Sequence, residues 1–162
     1  MVTAPDIRWG RCDIKSTALL ANVLAKQGAK ERGAFEAWMV DGEGLVTEGA
    51  STTAWIVDAA GDLVTRPLDN HILPGVTRAA LIELARTLQI RVVERAFSVS
   101  EAYGAREAFV SSASGAAVPV VSIDGHKIGN GAPGPIAARL RGAYGQAPQS
   151  VSFAVANTPE RP

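Results

Sequence analysis

The sequence predicts a single domain of mixed α/β (α+β) class, and three observations lead there. Apolar residues make up 47% of the 162 positions, enough for one core and not a reason for two domains. Period-two alternation and 3.6-residue stripes occur in the same chain, so strands and helices are both needed. They do not follow one another as regular strand–helix–strand units, and no GxxxxGK[ST] loop occurs, which argues against a P-loop fold.

In chain order, Ile7–Lys15 alternates, with Arg11, Asp13 and Lys15 on one face and Cys12 and Ile14 on the other, which predicts a strand. From Ser16 the period lengthens. Leu19, Leu20, Val23 and Leu24 form a helical stripe that stops near Arg32-Gly33. A β-rich stretch follows: Ala34–Val40, a turn at Asp41–Gly44, Leu45–Glu48, Ala54–Val57, a turn ending at Gly61, and Asp62–Thr65. Pro67–Pro74 is a loop into a second amphipathic helix, with Ala79, Ile82 and Leu88 as buried candidates. Arg91–Ala96 reads as a strand and Val99–Tyr103 as a helical turn, with further strands at Ala108–Ser111 and Val118–Ile123. Asp124–Lys127 makes a hairpin turn. Pro135 sits suitably in the first turn of a last helix to about Tyr144. The domain is expected over residues 1–145, with a loose polar tail over 146–162.

Composition narrows the function. Sixteen basic residues balance sixteen acidic ones, so no electrostatic footprint for nucleic acid or acidic lipid is visible. Cys12 is the only cysteine and His71 and His126 lie far apart, which gives neither a disulfide nor a metal-ligand pattern. No apolar run approaches a membrane span and no signal-peptide pattern opens the chain; a cytoplasmic location is expected.

Three stretches carry chemistry. Lys15 stands in Cys12-Asp13-Ile14-Lys15-Ser16, where the strand pattern gives way to the helical one. An amine left unprotonated by burial or a neighbouring cation attacks carbonyls; the plain alternative is an exposed lysine. Glu48, in Val46-Thr47-Glu48-Gly49-Ala50-Ser51-Thr52, is a carboxylate able to stabilise a protonated aromatic nitrogen, or a solvated glutamate ahead of a turn glycine. Leu73-Pro74-Gly75-Val76-Thr77-Arg78 opens a helix whose free N–H groups suit a phosphate. Thr77 either adds its hydroxyl or caps the helix. Ser111-Ser112-Ala113-Ser114-Gly115 either completes such a cradle or is a surface loop.

The order and spacing of these stretches are similar to one family. Arg8-Trp9-Gly10-Arg11-Cys12-Asp13-Ile14-Lys15-Ser16 and the Leu-Leu-x-Asn-Val-Leu-Ala-Lys-Gln that follows resemble the fold-type IV, or class IV, transaminases that use pyridoxal 5'-phosphate (PLP). Within that family the chain is closest to the D-amino-acid (D-alanine) transaminases. The resemblance runs through Gly33–Ala37, Val46–Gly49 and Ile72–Arg78 to Ile123-Asp124-Gly125 and Pro133-Gly134-Pro135. It implies the C-terminal pseudo-barrel domain of that fold. Lys15 is then the residue that holds PLP as a Schiff base and moves a proton at the substrate Cα. Glu48 pairs with the pyridine nitrogen. Val76, Thr77, Ser112 and Ala113 bind the phosphate, and Arg8 lies near the cofactor.

The chain departs from the family pattern in places. Thr53 stands where an asparagine is usual, and Ala113 where a hydroxyl is common, a loss of about 0.5–1.5 kcal/mol if that hydroxyl bonds the phosphate. The resemblance implies an N-terminal domain in front of the Arg8 segment, so the chain is expected to be a C-terminal half: a truncation, a misread start or a degraded gene. The resemblance implies transamination between a D-amino acid and an α-keto acid in a homodimer or with a separately encoded N-terminal half. Branched-chain aminotransferase, aminodeoxychorismate lyase and an inactive truncated PLP-binding remnant are the alternatives.

Overall fold

The computed structural model describes residues 1–146; beyond Gln146, the expected tail lies outside the described residues. The elements are β1 (Val2–Pro5), α1 (Leu20–Glu31), β2 (Ala37–Val40), β3 (Val46–Gly49), β4 (Thr53–Val57), β5 (Leu63–Thr65) and α2 (Val76–Thr87). They continue with β6 (Val92–Glu94), α3 (Val99–Tyr103), β7 (Glu107–Ser112), β8 (Gly115–Val120), β9 (Ser122–Ile123), β10 (His126–Lys127) and α4 (Pro135–Gln146).

Strands β6-β5-β4-β7-β8 form one sheet, β1-β2-β3 a second, and β9 with β10 a hairpin. The near-continuous apolar run of β4 follows from its central place, because both faces of that strand are covered. Ala54 and Ile56 pack on one side with Trp38, Val64, Phe97 and Val110. Trp55 and Val57 pack on the other with Leu81, Phe109 and Leu140, where Trp55 and Phe109 stack. α2 and α4 cover this second face, while the smaller sheet and α3 cover the first.

Two expectations ahead of β2 need correction. Ile7–Lys15 is not a strand. Its backbone groups go to turns and loops: Arg8 N–H to Asp6 Oδ1, Ile14 N–H to Arg11 O, and Cys12 N–H to Asn70 O at 2.8 Å. The ladder is made earlier by β1, which runs parallel to β2 and went unread in the sequence. The stripe of α1 is also reversed, since Leu20 is 71% exposed, with Leu19, Val23 and Leu24 exposed beside it. What faces inward is small or polar. Ala29 is buried against Val2 and Ala37, Asn22 donates to Ala50 O, and Lys26 to Ser51 Oγ.

Val118–Ile123, expected as one strand, divides into the end of β8 and β9, and the turn at Asp124-Gly125 lies where expected. Ile82 is buried as expected, while Ala79 and Leu88 are partly so. α4 has a cap that local sequence does not show. Both oxygens of Glu107, on β7, accept N–H groups at its start, from Ile136 at 2.9 Å and Ala137 at 3.0 Å. Gly129, Gly131 and Gly134 have GxGxxG spacing just ahead of this helix, a pattern that sequence reasoning passed over, yet the carboxylate already holds the place a phosphate needs.

Gly134 is tied to that cap: a Cβ there would lie 2.0 Å from Glu107 Cδ. Gly134→Ala is expected to lower the unfolding free energy by about 1–3 kcal/mol, read from urea titrations. An unchanged midpoint would show that the carboxylate does not hold α4.

Candidate active site

The site is built around one arginine. Asp6, just past β1, stands two residues before Arg8, whose backbone N–H turns back onto Asp6 Oδ1 at 3.1 Å. Arg8 Nε and Nη2 grip Asp6 Oδ1 and Oδ2 at 2.9 and 2.7 Å. Nη2 also reaches His71 O at 2.8 Å and Thr47 Oγ1 at 3.3 Å. Nη1 donates to Glu48 Oε1, with which it forms an ion pair. Thr47 Oγ1 in turn donates to Asp6 Oδ2 at 2.7 Å.

Burial controls the charges here. It pushes Glu48 up to about 7, although the Arg8 charge, the Arg8 hydrogen bond and the Leu73 N–H pull the other way. Asp6 is also pushed up by burial, but hydrogen bonds from Arg8 and Thr47 outweigh that and hold it below the usual carboxylate range. Arg8 is driven further toward its charged form by Asp6 and Glu48, against the cost of burial. Gly49 follows because the turn after Glu48 is tight: its N–H bonds Thr52 O at 2.7 Å, and a Cβ would meet Thr52 Oγ1 at 2.0 Å.

Glu48 connects directly to the start of α2. Its Oε2 accepts from Leu73 N–H at 3.2 Å, and Leu73 O accepts from Gly75 N–H at 2.8 Å. Gly75 is the N-cap of α2 and no side chain caps the helix, so the first N–H groups, at Val76 and Thr77, lack intrahelical acceptors. Thr77 is not the cap. Its hydroxyl is buried without a hydrogen-bond partner. A Cβ on Gly75 would come within 3.5 Å of Thr53 Oγ1, and Thr53 pairs in register with Ser111. Ser111 Oγ accepts Trp55 Nε1–H at 2.9 Å. Ser112 ends β7 with its hydroxyl 3.2 Å from that of Ser114, and Ala113 is exposed in the turn.

Arg8, Glu48, Val76, Thr77 and the Ser112 end of β7 are thus joined through neighbouring residues. Lys15 is not tied into this set. Its side chain is exposed, no described residue hydrogen-bonds or ion-pairs with it, and its segment is moored at Cys12 N–H on Asn70 O. Sequence reasoning missed Asp6, whose i, i+2 spacing from Arg8 was the available signal. It also missed Glu36, wholly buried, which accepts Ser51 Oγ–H at 2.8 Å near Lys26. That pairing crosses elements distant in sequence and left no local mark.

Residues 1–123 match the family model for amino-transferase class IV. This chain belongs to the class IV aminotransferases. Among class IV relatives, it is 42% identical to a D-alanine aminotransferase of Bacillus licheniformis over 142 residues, 88% of this chain and 50% of that protein. It is 43% identical over 143 residues to a D-alanine aminotransferase of Staphylococcus aureus (strain N315), with the same two shares. The crystal structure of a branched-chain amino acid aminotransferase from Thermobaculum terrenum, in its PLP (holo) form, superposes with a TM-score of 0.79 at 34% identity. That match covers 88% of this chain and 48% of that one. This class IV chain spans about half the length of the curated relatives it matches.

The raised pKa of Glu48 has a stability consequence with a definite sign. A carboxyl that titrates at about 7 when folded and near its ordinary 4.5 when unfolded favours the folded state most below the lower value. That contribution is lost as pH rises through the higher one. Between about pH 5 and about pH 8 the wild-type chain is expected to lose stability on the order of 3 kcal/mol relative to Glu48→Gln, measured by urea unfolding across pH. Parallel pH profiles for the two proteins would contradict the assignment.

Proposed function

We propose that this chain holds pyridoxal phosphate and contributes the cofactor side of transamination between a D-amino acid and an α-keto acid. The carrying observation is the unpartnered, buried Thr77 hydroxyl at the uncapped start of α2, connected through Leu73 to a buried carboxyl at Glu48. The donor set suits the group. N–H groups of Val76 and Thr77 and the Thr77 hydroxyl take the phosphate, with Ser112 and Ala113 at the facing turn. Glu48 holds the ring nitrogen in its protonated form, and Arg8 keeps Glu48 in place. When bound, PLP supplies an electron sink for the substrate Cα; Lys15 attaches it and moves the proton at that carbon.

The D-alanine aminotransferases at 42–43% identity favour a D-amino acid. Branched-chain aminotransferases among the solved structures, at TM-scores up to 0.79, support the second reading, an L-branched-chain substrate on the same fold. The proposal includes a cytoplasmic location. Among the described residues no helix is long and apolar enough to cross a membrane. It also includes assembly, as a homodimer or with a companion chain carrying the segment that the relatives have in addition. The outward leucines of α1 support an apolar contact of this kind.

Incubation with PLP, borohydride reduction and peptide mapping is expected to place a phosphopyridoxyl group on Lys15 and none on Lys15→Ala. Labelling spread over surface lysines would refute the reading. Keto-acid analysis with D-alanine, L-leucine and aminodeoxychorismate separates the substrate classes, and no turnover of any marks a PLP-binding remnant. Sedimentation distinguishes a dimer from a lone chain, and Leu20→Glu is expected to shift a dimer to monomer.

A further inference from the structure

Arg8 has one fork and two carboxylates beside it, and it divides them unequally. Asp6 takes the Nε–Nη2 edge with both oxygens, the geometry in which a guanidinium binds a carboxylate most firmly. Asp6 also accepts the Arg8 backbone N–H at 3.1 Å and the Thr47 hydroxyl at 2.7 Å. Four donors therefore hold it, which makes it the fixed member of the pair. Glu48 receives only Nη1 on one oxygen, with the Leu73 N–H on the other. Were the fork turned to Glu48, that carboxylate would be locked in a two-point ion pair with little left to offer any other group.

We infer that Asp6 is a positioning residue for Glu48. By occupying the fork of Arg8 it restricts Glu48 to a single Nη1 contact, which leaves that carboxylate free to engage a cationic ring nitrogen. The inference rests on the functional reading above for what the ring nitrogen is, but not for the geometry. The titratable or charged groups that face Glu48 among the described residues are Arg8, Asp6 and the Cys12 thiol, with Asp13 in turn facing Cys12. Asp6 is the one that acts on Glu48 through another side chain. A buried acid that acted on Glu48 only through its charge would shift the titration of Glu48 equally with and without Arg8 when neutralised isosterically.

The test uses the full chain without cofactor, isotope-labelled at its glutamate carboxyls, with the Glu48 signal identified by its absence in Glu48→Gln. In Asp6→Asn the fork is released, Arg8 turns to Glu48, and the Glu48 midpoint is expected to fall by about one pH unit or more. In Arg8→Gln the same Asp6→Asn change is expected to move Glu48 by less than half as much. An unchanged or raised midpoint in Asp6→Asn overturns the inference. So does an equal shift in both backgrounds, which assigns the effect to the charge of Asp6 alone. Loss of folding in both Asp6→Asn and Asp6→Ser makes Asp6 a purely structural residue and also overturns it. A chain that shows the expected titration yet fails to capture PLP on Lys15 leaves this inference standing and refutes the functional reading, so the two failures are separable.

Discussion

The Arg8 guanidinium ties together the segment after β1, strand β3 and the loop before α2. A buried cation is costly to desolvate, by several kcal/mol per ion, and is kept only where its hydrogen bonds are met. Arg8 meets that condition with Asp6, Glu48, Thr47 and the His71 carbonyl. These partners come from three segments: Asp6 after β1, Thr47 and Glu48 on β3, and His71 in the loop before α2. The irregular path of residues 7–15 follows from this. A regular strand there would pair its backbone along a sheet edge; instead Cys12 is bonded to Asn70 and Arg8 is turned inward.

What was legible in the sequence divides along a physical line. Features written locally were readable: the glycine opening α2, the turn at Asp124-Gly125, the Val99–Tyr103 helix and the continuous apolar strand β4. Glu48 and Thr77 were singled out because residue type and spacing match a family pattern, and the structure buries the carboxyl of one and the hydroxyl of the other. Features that depend on distant partners were not. The leucine stripe of α1 has the period of a core-facing helix, but Asn22 and Lys26 bond to the turn at Ala50-Ser51 and rotate it outward. The cap of α4 comes from Glu107, 29 residues before Ile136. Alternation over residues 7–15 suggested a strand, since periodicity records side-chain direction and carries no information on where the backbone N–H groups go.

The two ends of the candidate site differ in completeness. Around Glu48 and the start of α2 the chain supplies a buried carboxyl, an uncapped helix start and an unpartnered hydroxyl. At Lys15 it supplies an exposed side chain with no described partner, and the neighbouring α1 presents its leucines outward. This asymmetry agrees with a chain that spans about half the length of its relatives. The groups proposed to address the cofactor's polar periphery lie within the described fold, and the surroundings of Lys15, the lysine proposed to react, are left open.

In the proposed function Glu48 is the carboxyl that keeps a bound ring nitrogen protonated while Arg8 holds it in place. The most direct measurement is the nitrogen NMR signal of ring-labelled PLP captured on this chain. A protonated ring nitrogen in the wild type that reverts to neutral in Glu48→Gln is the predicted result. A neutral nitrogen in the wild type, or a protonated one that Glu48→Gln leaves unchanged, would contradict the account.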